Sequence, residues 1–373
     1  MNTRIKQLQT YMDGNGIEAM LITSPKHVYY LTGFATDPHE RFLGLLVPRG
    51  DEAFLLVPAL DLEAAQSASA VTKIYTHADT DDAYAVLGKL LPKGIRRLGV
   101  EKEHLSVVRF EALAAAVGEA EYADIGLPLR EMRAVKTPEE AARMRGAVRL
   151  VENVLREGVA MVKPGVTEIE LVAELEYRMK KLGAQGPSFD TLVLAGAKSA
   201  MPHGAPDGTA VREGEFLLFD LGVFADGYAS DITRTFAVGE ITSDMKRIYG
   251  AVLDGNLRAI EAIRPGISFG SLDRAARESI AAAGYGPQFN HRLGHGLGLD
   301  IHEYPSIHGN NEELVREGMT FTVEPGIYVP GVGGVRIEDD VLVTADGVEV
   351  LTSFPKGLTV IGQGRMDAGS LTD

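Results

Sequence analysis

The chain has 373 residues, a net charge of −15, no cysteine, and apolar and charged fractions ordinary for a globular protein. That length is long for one hydrophobic core and short for three, which sets an expectation of two domains. The acidic balance argues against nucleic acid or an anionic membrane as partner, and the missing cysteines exclude disulfides, thiolate zinc sites and a cysteine nucleophile.

The start, Met1-Asn2-Thr3-Arg4-Ile5-Lys6-Gln7, lacks the apolar core of a secretory signal, and no apolar run is long enough to span a bilayer. A cytoplasmic location and no membrane partner are therefore expected. Ile5, Leu8 and Met12 recur at helical spacing, with Gly14 and Gly16 closing that helix before a short strand, Ala19-Met20-Leu21-Ile22. Phe42 to Val47 and Ala53 to Val57 read as a strand pair joined through Pro48-Arg49-Gly50-Asp51. Leu98-Gly99-Val100 is a further strand, and Phe110 to Val117 a further helical stretch. Residues 1–132 thus read as an α/β unit with little convergent acid or histidine chemistry, a scaffold or dimerisation domain.

The expected boundary is the polar stretch Leu129 to Lys136, with the second domain spanning 133–373. Thr137 suits an N-cap, Pro138 the first helical position, and Glu140 completes a capping box, so a long helix runs on through Arg143 and Val154. An internal repeat follows. Lys163-Pro164-Gly165-Val166-Thr167 matches Arg264-Pro265-Gly266-Ile267-Ser268, and Gly186-Pro187-Ser188-Phe189 matches Gly286-Pro287-Gln288-Phe289. Arg212-Glu213-Gly214 precedes Asp220 at the offset by which Arg316-Glu317-Gly318 precedes Glu324, and His203 takes the place of His302. Four matches in one order imply a duplicated helix-then-sheet module, with Asp220 and Glu324 on related strands around a common cleft.

Three segments carry chemistry. Glu215 to Gly222 and Ala229 to Phe236 form a hairpin with Asp226-Gly227 at its turn, which puts Asp231 opposite Gly222 and Asp220 diagonally across on the same face. His291 to Glu303 places His291, His295 and His302 among glycines that let backbone and ligand come close; it lacks the lysine and the GxGxxG order of a phosphate loop. In the third segment Glu324 ends an apolar strand at Pro325, Glu338 alternates with Val335 and Ile337, and Arg336 shares the strand face of Glu338. The loop with Pro330, Gly331, Gly333 and Gly334 leaves the register of this segment open. Asp220, Asp231, His295, Glu324 and Glu338 together make four carboxylates and one imidazole. Such acids in one pocket repel each other unless cations lie between them, and a pair of ions sharing bridging carboxylates suits that set.

These segments, in this order and over residues from about 133 to 365, resemble the pita-bread metallopeptidases that cleave beside proline, aminopeptidase P and prolidase. The N-terminal unit is similar to their creatinase-like domain. The resemblance implies an α/β (α+β) architecture with a pseudo-twofold pita-bread domain. It implies that Asp220 chelates one divalent ion and His295 with Glu324 the other, with Asp231 and Glu338 bridging. Mn²⁺ is the first choice for this ligand set, with Co²⁺ or Zn²⁺ as alternatives. It further implies Glu324 as proton carrier, His302 at the tetrahedral oxyanion, His203 and His291 along the substrate cleft, and Arg336 in the substrate and proton network. The partners it implies are a proline-containing peptide and a second copy of the chain, whose loop Asp37-Pro38-His39-Glu40-Arg41 would reach a neighbour's cleft and limit peptide length.

Within the family, a dipeptidase must bind the free proline carboxylate, and some prolidases carry an arginine four residues after the histidine aligned with His302. Here that residue is Ser306, which favours aminopeptidase P, with prolidase as the alternative and either Arg292 or an N-terminal arginine from a partner chain as a substitute cation. Methionine aminopeptidase usually lacks so large an N-terminal domain. A metal-free creatinase-type amidinohydrolase and a non-enzymatic binding module are the remote readings, opposed by five intact ligands and, for nucleic acid, by charge.

Overall fold

The computed structural model describes residues 3–362. The chain divides into two compact units, Met1–Met132 and Arg133–Asp373. In the first, a six-stranded mixed sheet has Ala19–Ile22 near its middle, antiparallel to Gly44–Pro48 and parallel to Arg97–Val100. Gly44–Pro48 and Phe54–Pro58 form the expected pair, and Lys73–His77 and Glu121–Asp124 complete the edges. The helix Thr3–Asn15 buries Ile5, Leu8 and Met12, and Gly16 follows it with φ of 64°. Leu129 to Lys136 is not a polar linker. It is helical through Ala134, within Gly126–Ala134, because Leu129, Arg133 and Ala134 are buried on it.

The second unit opens with the helix Pro138–Val159, where Thr137 Oγ1 accepts from Glu140 N and the Glu140 side chain returns to the Thr137 backbone. Its duplication is visible in matched hydrogen bonds. Gly165 N donates to Val211 O at 2.8 Å, and Gly266 N to Val315 O at 2.9 Å. Thr167 and Ser268 cap the helices Glu168–Lys181 and Phe269–Ala282, and each also makes an isolated antiparallel bridge, to Ala210 and Leu314. Each half packs its own pair of helices on its own sheet. Val151, Leu155, Leu171 and Leu175 pack with Phe219 and Phe236 in the first half; Val252, Phe269 and Leu272 pack with Phe321 and Val341 in the second. The sheets are four-stranded and five-stranded, with a small three-stranded sheet and a separate two-stranded ribbon, Gly326–Val329 against Gly333–Arg336. No helix among the described residues is long and apolar enough to cross a membrane.

Candidate metal centre

The first acids come from one hairpin. Asp220 faces Thr233 and Leu221 faces Ile232 in the long portion, and Phe224 faces Ala229 beyond it in the same register. Asp226 and Gly227 close the hairpin with φ of 49° and 78°, both left-handed as a type I′ turn requires. Between the two portions Gly222 meets Asp231, and a Cβ on Gly222 would lie 2.1 Å from the Ser230 carbonyl oxygen. The Asp231 backbone N–H turns away to donate to Asp340 Oδ2 at 2.9 Å, while its side chain lines the cleft.

The second pair comes from the corresponding hairpin, whose register is continuous. Val323 faces Asp339 on one side of Glu324-Pro325, Gly326 faces Arg336 on the other, and Ile337 N donates to Pro325 O at 3.4 Å. Glu324 and Glu338 therefore stand opposite each other. The second acids of the two halves do not occupy equivalent places: Thr233 faces Asp220, whereas Glu338 faces Glu324. Thr233 and Glu338 then meet, Thr233 Oγ1 donating to Glu338 Oε2 at 2.6 Å.

His295 comes from the strand Gly294–Gly296, where Gly296 faces Phe321. In the first half Ala195 faces Leu217, so the residue matching His295 is Leu194, and the site has one imidazole. A Cβ on Gly294 or Gly296 would lie 2.0 Å from the Thr322 or 2.3 Å from the Tyr304 carbonyl oxygen, so only glycine lets this strand sit so close.

Asp231, His295 and Glu338 offer ligand atoms within 4.8 Å of one another. His295 Nε2 lies 3.6 Å from Asp231 Oδ2 and 3.4 Å from Glu324 Oε1. Its Nδ1 lies 3.1 Å from the Gly296 carbonyl oxygen, which makes Nδ1 the protonated nitrogen and leaves Nε2 a lone pair toward the acids. Burial pushes the His295 pKa down to about 3, aided by repulsion from His302, whose ring centroid is 4.1 Å away. Burial, then Glu338 and Asp220, hold the Asp231 carboxyl well above its usual range; burial, then Glu324 and Asp220, do the same to Glu338. Burial pushes Glu324 up to about 7 against the opposing pull of Arg336. Arg336 donates to Asp220 Oδ2, yet Asp220 Oδ1 is buried with no hydrogen-bond partner among the described residues. Crowded acids short of cations, a neutral imidazole with its lone pair inward and an orphaned carboxylate oxygen fit a divalent-cation centre.

All nine residues singled out in the sequence line one cleft of about 630 Å³. His203 is exposed on the turn after Gly196–Ala200, and His302 is exposed just before the strand Glu303–Ile307. His291 Nε2 lies 3.1 Å from Tyr328 Oη, which accepts from Arg336 Nη1 at 2.8 Å. Arg336 Nε also donates to Thr233 Oγ1 at 3.1 Å. Thr322 Oγ1 accepts from His295 N at 3.1 Å and donates to Glu324 Oε1 at 3.3 Å. Sequence reading missed Thr233, Thr322 and Tyr328. The two threonines carried a signal, since each lies two residues from an acid on the same strand face.

The model of metallopeptidase family M24 matches residues 142–345, and that of the creatinase/prolidase N-terminal domain matches residues 4–135. A Bacillus subtilis protein provisionally named dipeptidase YkvY is 44% identical over 96% of this chain and 99% of its own length. The crystal structure of the prolidase from Pyrococcus horikoshii is 36% identical, with a TM-score of 0.90 over 96% of this chain and 100% of that one. The X-Pro aminopeptidase from Thermotoga maritima is 33% identical, with a TM-score of 0.86 over the same shares, 96% and 100%. The chain belongs to metallopeptidase family M24: it is a peptide hydrolase with a creatinase-type N-terminal domain.

Proposed function

We propose that this peptidase is an Xaa-Pro dipeptidase, a prolidase, with aminopeptidase P action on longer peptides as the second reading. Arg292 is the observation that carries the choice. Sequence reading put aminopeptidase P first because Ser306 stands where some prolidases have arginine. Ser306 Oγ instead accepts from Arg292 Nη1 at 3.2 Å, and Arg292 lines the cleft. Its charge reaches the acid cluster, pulling the pKa of Glu324, His295 and His302 down. The cation that a free proline carboxylate needs is thus present, delivered from another position. The dipeptidase and prolidase names of relatives matching over almost the whole chain support the same choice.

Asp220, Asp231, His295, Glu324 and Glu338 would hold two divalent ions, Mn²⁺ before Co²⁺ or Zn²⁺ for a set rich in carboxylate. When bound, such ions polarise the scissile carbonyl and lower the pKa of a water enough to supply a nucleophile near neutral pH. Glu324 takes the proton shed by that water and returns it to the proline nitrogen as the bond breaks. His302, whose pKa is lowered first by partial desolvation against the cleft and then by Arg292, donates an N–H to the developing oxyanion. Tyr328 holds His291 at the wall, Arg336 braces Asp220, and His203 lines the same cleft. An X–Pro bond has no amide hydrogen to recognise, so ring and carboxylate must be read instead. Initial rates with Mn²⁺ on Xaa-Pro and Xaa-Pro-Xaa peptides test this: strict preference for the dipeptide is expected, and faster cleavage of the longer peptide moves the assignment to aminopeptidase P. Dimerisation through residues 1–132 belongs to the same proposal, and light scattering reads it.

A further inference from the structure

Two buried cations near the start of the second unit have no part in the chemistry above. Arg133 and Lys136 are 6% and 7% exposed, and both converge on the carboxylate of Glu303. Arg133 Nη2 donates to Glu303 Oε2 and, at 2.6 Å, to Asp300 Oδ2; Lys136 Nζ donates to Glu303 Oε1 at 2.7 Å. The chain wraps around this carboxylate. Asp300 N lies 3.4 Å from Glu303 Oε2, and a Cβ on Gly298 would meet Glu303 Oε1 at 2.7 Å and Lys136 Cε at 2.9 Å. The cations are themselves anchored, since Lys136 N donates to Gly318 O at 2.8 Å and Val135 bridges Met319, just before the strand Thr320–Val323.

Taking several charges out of water is costly, and apolar packing fills such space at least as stably. What this arrangement does achieve is a fixed backbone at Glu303, the residue after His302. The His302 ring leans on that of His295 and makes no hydrogen bond among the described residues. Its aim into the cleft therefore depends on the backbone that carries it. We infer that Arg133 and Lys136 are positioning residues, which clamp Glu303 and so hold His302 at the reacting carbonyl. This rests on the role proposed for His302.

A double-mutant cycle on the Mn²⁺-loaded full chain tests the inference. Lys136→Met is expected to lower kcat about tenfold to a hundredfold, the cost of a slightly misplaced catalytic group, with KM and metal content unchanged. Lys136→Arg is expected to restore most of that loss. In a His302→Ala background the same Lys136→Met change should alter kcat by less than about twofold, because the group it positions is gone. Should the single variant fail to fold, Lys136→Met with Glu303→Gln removes the stranded charge and enters the same cycle. A full loss persisting in the His302→Ala background overturns the inference, as does loss of bound metal in Lys136→Met. His302→Ala with undiminished turnover would instead remove the role of His302 itself, and the inference with it.

Discussion

Replacing Arg292 by glutamine isolates the carboxylate-reading step from the rest of the site. Arg292 is half-buried, with Nη1 held by Ser306 Oγ at 3.2 Å, so its guanidinium is pre-set rather than recruited from solvent. A hydrogen bond to a charged partner in such a place contributes about 1.5–3 kcal/mol. That corresponds to roughly tenfold to a hundredfold in kcat/KM on an Xaa-Pro dipeptide. Arg292 also lowers the pKa of Glu324 and His302, so its loss carries a second effect common to every substrate. An Xaa-Pro amide, which has no carboxylate, separates the two. Stopped assays of initial rate on both substrates should show the large loss on the dipeptide alone, with the amide changed by less than about threefold. Ser306→Ala should produce a smaller loss in the same direction, since it frees the guanidinium without removing it. Equal losses on dipeptide and amide would refute the assignment of Arg292 as the carboxylate partner.

Other predictions concern the acid cluster. Asp231→Ala should abolish turnover and metal retention together, read by elemental analysis after gel filtration; a variant keeping either contradicts its place as a shared ligand. Thr233→Val removes the hydroxyl that donates to Glu338 Oε2 at 2.6 Å and accepts from Arg336. It should weaken Mn²⁺ binding by about tenfold to a hundredfold in calorimetry; an unchanged affinity would show that Thr233 only packs. The pH dependence follows from Glu324, raised from 4.5 to about 7, and from Asp231 and Glu338, raised well above their usual range. A raised carboxyl means the folded chain holds protons that the unfolded chain sheds. Their stabilising contribution is full below the unfolded pKa and is lost as pH rises through the folded one. The melting temperature of chelated protein should thus fall as pH rises from about 4.5 to about 7, and saturating Mn²⁺ should remove the fall. Chelated protein that melts at the same temperature across that range contradicts the crowding.

Local chemistry was readable in advance, and pairing across the cleft was not. Asp226-Gly227 specified both the turn and the register that sets Asp231 opposite Gly222, because a two-residue loop leaves the strands no freedom. Thr137-Pro138 and Glu140 announced a helix start for the same local reason. The second hairpin was harder: Pro325 and the glycines around Val332 obscure a ladder that runs unbroken in register from Val323 to Val329. Helix Gly126–Ala134 escaped because its buried side, Leu129 and Arg133, includes a charge whose partners lie far along the chain. Ser306 misled for a related reason. Read alone it marks a missing arginine, and only the fold sets it beside Arg292. The five ligands were recognisable as a set by chemistry, whereas the threonines that aim them depend on tertiary neighbours.

Two cations are proposed to sit within this cluster of acids and one imidazole. The most direct test is to strip the protein with a chelator, titrate Mn²⁺ by calorimetry, and follow Xaa-Pro hydrolysis at each point. Two ions bound per chain, with activity absent in the stripped protein and restored as both sites fill, is the predicted result. Fewer than one ion per chain at saturation, or full hydrolysis by the stripped protein, would contradict it.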